Sequence, residues 1–150
     1  MTIEELLQKE GKYVGPVKGY SMLPLLVEER DSVVICAQKP PYKILDVVLY
    51  KRGEDYILHR IVDINNNEYI IRGDNCFYDE RVKEEHILGV LKEFFQGEKH
   101  VFCDEKEYLR YSKRHVRFYP FRKFAYKIKN VFKKLLRAPY RIILKQKNKG

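Results

Sequence analysis

The feature that most constrains the fold is a series of short apolar runs, which recur roughly every ten residues through the first two thirds of the chain. The runs are rich in Val, Ile, Leu and Tyr, and turn-forming residues separate them. This pattern predicts a mainly β protein built on an antiparallel sheet. The five runs are 31–36, 44–50, 56–64, 68–72 and 87–95.

Helical periodicity is confined to the two ends of the chain. Thr2 and Glu5 have the spacing of a capping box, which predicts a short N-terminal helix ending near Gly11. From Phe121 to Leu136, apolar residues recur three and four positions apart, and Lys and Arg fill much of the space between them. That pattern predicts a basic amphipathic helix.

Charge divides the chain in the same way. The net charge is +9, but residues 108–150 hold 15 Lys and Arg and no Asp or Glu, whereas residues 1–107 hold 15 basic and 21 acidic side chains. We therefore predict a β domain with its N-terminal helix at 1–97, a polar connector at 98–115 and a basic helical tail at 116–150. The tail is expected to meet an anionic membrane surface, and packing on the β domain or on a partner is the alternative. Nucleic acid is disfavoured because no nucleic-acid-binding motif is present.

Targeting and cofactor signals are not found in this sequence. The N-terminus is acidic and amphipathic, unlike a secretory signal, and no apolar run reaches the ~18 residues of a spanning helix. We expect a cytoplasmic or peripheral membrane protein. Cys36, Cys76 and Cys103 lack the spacing of a disulfide framework or a zinc site, so reduced thiols and no metal or other cofactor are expected.

A candidate nucleophile lies in the segment Gly19-Tyr20-Ser21-Met22-Leu23-Pro24. Gly and Pro restrict the backbone around Ser21, and a serine hydroxyl so placed can act as a nucleophile if a base takes its proton. Taken alone, a serine in this setting is more often an ordinary turn residue. His59, inside the apolar run at 56–64, is the candidate base, although a single buried histidine is more often structural.

Four segments in order resemble the conserved boxes of type I signal peptidases. The serine segment resembles their Ser-Met-x-Pro box, and Ile44-Leu45-Asp46-Val47-Val48 resembles their Gly-Asp-Val-Val strand, with Leu45 where glycine is usual. Leu58-His59-Arg60-Ile61-Val62 resembles the box that holds the general base. Gly73-Asp74-Asn75, followed by Asp79-Glu80-Arg81, resembles the Gly-Asp-Asn and Asp-x-Arg segments. The resemblance covers about residues 16–95.

The resemblance implies a β-rich catalytic domain of the kind shared with LexA-type self-cleaving repressors. It also implies the histidine subtype, because His59 stands where the typical bacterial enzymes have lysine; the subtype includes the eukaryotic and archaeal signal peptidases. An acid is expected to orient His59. We favour Asp79, while Glu80, the strict positional match, and Asp74 remain alternatives.

The implied activity is serine endopeptidase cleavage of a leader, signal peptide or propeptide through an acyl-enzyme, with the Ser21 backbone N–H in the oxyanion hole. An apolar cleft that accepts small side chains is expected. Leu23, Leu25 and Leu26 either line this cleft or belong to the apolar core. The alternative function is a basic binding module, on anionic membrane or nucleic acid, whose signal peptidase-like domain is not catalytic. A self-cleaving repressor is disfavoured, since few residues precede the serine segment.

Overall fold

The computed structural model describes residues 1–66 and 68–147, with side chains in the last helix described as far as Leu136. Helix α1 (Ile3–Glu10) opens the chain. Its capping box is confirmed: the Thr2 hydroxyl accepts from Glu5 N–H, and the Glu5 carboxylate accepts from Thr2 N–H. Gly11 ends the helix at φ +70°, in the left-handed region where glycine carries no Cβ penalty.

The body of the protein is an open antiparallel sheet, as the sequence predicts. Along it the strands run in the order β1-β2-β7-β3-β4-β5-β6, and β8 pairs with the far end of β7. The strands are β1 (Lys12–Pro16), β2 (Asp31–Cys36), β3 (Val47–Arg52), β4 (Asp55–Asn65), β5 (Glu68–Arg72), β6 (Glu80–Lys83), β7 (Ile87–Gln96) and β8 (Lys99–Phe102). A 3₁₀ turn, Glu84–His86, precedes β7.

The sheet has an apolar core on each face, because its central strands are apolar at consecutive positions. In β3, Val47 and Leu49 pack into a first core that also contains Leu26. The alternate residues Val48 and Tyr50 pack into a second core. Side chains of a strand point alternately to its two faces, so β3 divides the protein interior into these two layers.

The segment predicted as a polar connector, 98–115, carries defined elements. It contains β8 and most of helix α2 (Lys106–Arg117). Polar residues conceal this packing in the sequence: Tyr108 and Ser112, one helical turn apart, are both buried. By internal contacts the chain divides into residues 1–115 and 116–150. Helix α3 (Tyr119–Lys147) makes up most of the second unit.

Candidate active site

The serine segment forms a turn that is tied to a second turn, at residues 73–75. Gly19 has φ +80°, which a glycine adopts without strain. The Asn75 backbone N–H donates to the Ser21 carbonyl oxygen at 2.8 Å, and the Asn75 side chain donates to the Tyr20 carbonyl oxygen at 3.1 Å. Residues more than fifty positions apart are thereby held together, and the position of Ser21 depends on this second turn.

Gly73 is the point where the serine turn and His59 meet. A Cβ atom added at Gly73 would lie 2.7 Å from the Ser21 carbonyl oxygen and 2.9 Å from His59 Nε2. The Ser21 carbonyl oxygen and His59 Nε2 are therefore no farther apart than the sum of these two distances. Because both contacts are shorter than Cβ atoms tolerate, this close approach requires a glycine.

His59 reaches this point from the second of two paired strands. It lies on β4 opposite Val48 of β3 and is only 3% exposed. Within residues 1–66 and 68–147, no hydrogen bond joins the Ser21 hydroxyl to His59 Nε2. Catalytic hydrogen bonds are often long in the absence of substrate, so this geometry is compatible with a nucleophile and its base.

Tyr50 and Glu80 lie behind the imidazole. The Tyr50 hydroxyl is 3.2 Å from His59 Nδ1, and Glu80 Oε1 is 3.5 Å from the same nitrogen. The other Glu80 oxygen accepts a hydrogen bond from Arg52 at 2.9 Å. The Tyr50 hydroxyl, the Glu80 carboxylate and the Arg52 guanidinium thus form a row in space, on the side of the imidazole ring opposite Ser21.

Burial sets the protonation states in this row. Burial lowers the pKa of His59 below its ordinary value, against the opposing pull of the Glu80 carboxylate. Burial, together with Glu80, raises the pKa of Tyr50 well above its ordinary value. At neutral pH the imidazole is therefore uncharged, as a general base must be, and Tyr50 keeps its proton.

The three candidate acids lie in different places. Glu80 faces His59, whereas Asp79 forms an ion pair with Arg72 and its side chain is 43% exposed. Both carboxylate oxygens of Asp74 accept hydrogen bonds from Arg60. The geometry therefore brings Glu80, rather than the favoured Asp79, to the base. Strand alternation explains this: Glu80 and the buried Val82 share one face of β6.

The ion pair of Arg60 and Asp74 supports the turn at residues 73–75. Arg60 is completely buried and donates to both Asp74 carboxylate oxygens, at 2.9 and 2.8 Å. Its remaining nitrogen donates to groups that include Ser112 Oγ of α2, at 2.8 Å. From the same helix, His115 Nε2 lies 2.8 Å from the Asp74 carbonyl oxygen. Helix α2 thus braces the turn that holds Ser21.

An apolar cleft of about 450 Å³ opens beside Ser21. Its walls include Met22, Val33, Leu49 and Leu58, and its volume is that of an ordinary ligand site. The leucines that follow the serine lie elsewhere: Leu25 and Leu26 are buried in the first core, and Leu23 is half-buried outside the cleft lining.

Cys76 is a residue of the site that sequence reasoning missed. Its Sγ would lie 2.8 Å from a Cβ at Gly73, on the same point that Ser21 and His59 approach. Burial raises the pKa of the Cys76 thiol, so it is mainly protonated and a poor nucleophile at neutral pH. Tyr50 was also missed, although its signal was present: it lies two residues after Val48, on the face of β3 that turns towards His59.

Comparisons with known proteins add no assignment. The chain matches no protein-family model, and a search of curated proteins finds no significant match.

Across the described ranges, no group of His, Cys, Asp and Glu side chains is arranged to hold a metal ion. None of the helices in the described residues is long and apolar enough to cross a membrane.

Proposed function

We propose that this chain is a serine endopeptidase of the signal peptidase-like type, with Ser21 as nucleophile and His59 as general base. The observation that carries the proposal is the convergence of the Ser21 turn and His59 Nε2 on Gly73. Leu45 supports the family resemblance independently. Its φ is +82°, in the region that favours glycine, and glycine is the usual residue at this position of the signal peptidase strand.

In the proposed reaction, Ser21 Oγ attacks a peptide carbonyl carbon and His59 Nε2 takes the hydroxyl proton. The imidazolium then gives this proton to the departing amine, which leaves an ester on Ser21. A water molecule, deprotonated by His59, attacks the ester carbonyl carbon. The bond to Ser21 Oγ then breaks, the imidazolium returns the proton to Ser21 Oγ, and the N-terminal product leaves. The Ser21 backbone N–H is assigned to the oxyanion hole.

The base requires the tautomer that carries hydrogen on Nδ1, so that Nε2 is free to accept a proton. Nδ1–H can donate to the Tyr50 oxygen, and Tyr50 O–H can donate to Glu80. We assign the role of the third member of the triad, beside Ser21 and His59, to Glu80 acting with Tyr50, because these two groups face His59 Nδ1. Their role is to position the imidazole and stabilise its charged form.

The cleft beside Ser21 suits an extended peptide. Its apolar walls favour small apolar side chains before the scissile bond, as in the family that the chain resembles. Leader, signal or propeptide processing is the proposed biological class of reaction.

Cleavage of a diverse pool of synthetic peptides, read by mass spectrometry, tests the proposal. The wild type should cut a subset of peptides at defined bonds, and Ser21→Ala and His59→Ala should reduce the rate by at least about 10³-fold with folding unchanged. Ser32→Ala, a serine of β2, is the matched control and should retain activity. If Ser21→Ala cleaved peptides at the wild-type rate, or if the wild type cleaved no peptide, the assignment of Ser21 as the nucleophile of a peptidase would be rejected.

The acid assignment has its own test. Glu80→Gln and Tyr50→Phe should lower kcat by roughly 10- to 100-fold and change the pH profile through His59, whereas Asp79→Asn should change neither. If Asp79→Asn has the larger effect on both, Glu80 is not the orienting acid.

A further inference from the structure

Helix α3 presents an exposed apolar stripe. Its members lie three, four or one position apart, so they share one side of the helix. Each is at least 42% exposed. The apolar stripe consists of Phe121, Phe124, Ile128, Val131, Phe132, Leu135 and Leu136. Exposed apolar surface of this extent, three of its members aromatic, marks an interaction site.

The rest of the same helix is strongly cationic. The basic flank consists of Arg122, Lys123, Lys127, Lys129, Lys133 and Lys134. No acidic residue occurs between positions 108 and 150, so no carboxylate of this segment offsets these charges. The partner must therefore supply both apolar surface and negative charge.

We propose that α3 docks in the plane of an anionic lipid bilayer. The apolar stripe would lie at the boundary between headgroups and acyl chains, and the basic flank would contact acidic headgroups. The flank keeps the helix at the surface, since a cationic face of this size is costly to place across the hydrocarbon core. The described stripe spans about 24 Å along the helix axis, several lipid headgroups in length.

Two other occupants fit less well. Nucleic acid would neutralise the basic flank, but aliphatic members of the stripe such as Leu135 and Leu136 would remain in water. A second copy of α3 would cover the stripe, but it would bring two rows of like charge together. A bilayer of mixed headgroups satisfies both faces of the helix.

Flotation of the full chain with lipid vesicles tests this proposal. We expect binding to vesicles of equal parts phosphatidylglycerol and phosphatidylcholine, little binding to phosphatidylcholine alone, and weakening as salt is added. Equal binding to both vesicles, or no binding to the anionic vesicles at low salt, overturns the proposal. Lipid binding is measured without cleavage, so this outcome is independent of the Ser21 assignment.

Matched variants separate the possible occupants. Phe124→Ser/Phe132→Ser removes part of the stripe, and Lys127→Glu/Lys134→Glu reverses part of the flank; each should weaken vesicle binding by at least about ten-fold. Lys39→Glu/Lys83→Glu makes the same charge change on exposed residues of the β domain and should have little effect.

Two results assign the helix to another partner and overturn the bilayer proposal. The first is tight RNA binding in a mobility-shift assay that the stripe variant leaves unchanged, without vesicle binding. The second is a wild-type oligomer in light scattering that the stripe variant converts to a monomer, again without vesicle binding.

Discussion

Residues 1–115 and helix α3 differ in the burial of their aromatic side chains and in the carboxylates available to pair with their basic ones. In the β domain, Phe94 is 1% exposed and even Arg60 is completely buried and paired. In α3, Phe132 is 61% exposed, and no Asp or Glu lies along the helix. Residues 1–115 thus bury large apolar side chains and at least one paired charge, whereas the apolar side chains of α3 from Phe121 to Leu136 are largely exposed.

One substitution made in both regions should give the largest contrast. Phe94→Ala removes a ring from the first core and should lower the free energy of unfolding by about 3–5 kcal/mol. Phe132→Ala, in the apolar stripe, should change it by no more than about 0.5 kcal/mol. Urea denaturation followed by circular dichroism measures both. Equal losses would mean that the stripe is packed in the free protein.

A pair of arginine substitutions sharpens the comparison within the β domain. Arg60→Met removes the guanidinium that pairs with both oxygens of the buried Asp74 carboxylate and should cost about 3–5 kcal/mol in thermal or urea unfolding. Arg81, whose contact with Glu68 is 3.9 Å and exposed, is the control, and Arg81→Met should cost less than about 1 kcal/mol. A small loss for Arg60→Met would show that the ion pair of Arg60 and Asp74 does not stabilise the turn at residues 73–75.

Two glycines separate effects on the site from effects on stability. An added Cβ at Gly73 meets the Ser21 turn, whereas one at Gly89 meets the Cys36 carbonyl oxygen at 2.7 Å. Both Gly→Ala variants should lose roughly 1–3 kcal/mol through strain. Only Gly73→Ala should also lose peptidase activity per folded molecule, by about ten-fold or more. Equal specific activities would contradict the proposed site.

The smallest expected effect concerns pH. Because the folded protein lowers the pKa of His59 below its ordinary value of 6.5, the unfolded chain takes up this proton first as pH falls. This contribution to stability is therefore complete above about pH 6.5 and is lost as pH falls through the lower folded pKa. His59→Gln should flatten the pH dependence of the free energy of unfolding in that window.

Asp31 titrates at lower pH than His59. Burial alone would raise the pKa of Asp31, but hydrogen bonds from Arg30 and from backbone N–H groups lower it.

Much of the fold was predictable because it follows from local patterns. The apolar runs predicted β2, β3, β4, β5 and β7, and the capping box predicted α1. Strands β6 and β8 were missed because four residues carry too little periodicity, and β1 was missed because it ends in Gly15 and Pro16, which are rare in strands. Helix α2 was missed because its buried residues, Tyr108 and Ser112, are polar side chains that accept hydrogen bonds from Arg60, which lies about fifty residues earlier in the chain.

The chemistry of the candidate site stays a prediction from the sequence, and its geometry depends on contacts that the sequence does not show. Ser21 and His59 follow from residue type and motif order. The acid depends on strand register, where a difference of one residue sends Asp79 to Arg72 and Glu80 to the imidazole. Leu25 and Leu26 illustrate the same limit, because apolar character alone does not distinguish a cleft wall from a core.

The proposed mechanism requires that Ser21 carries the acyl group and that His59 moves the Ser21 proton. Peptide mapping of an acid-quenched reaction with a cleaved peptide tests it most directly. We expect the Ser21-containing fragment of the wild type to gain the mass of the N-terminal product less one water, as an ester requires, and the corresponding fragment of Ser21→Ala to gain nothing. Turnover with the added mass on the Cys76-containing fragment would contradict it.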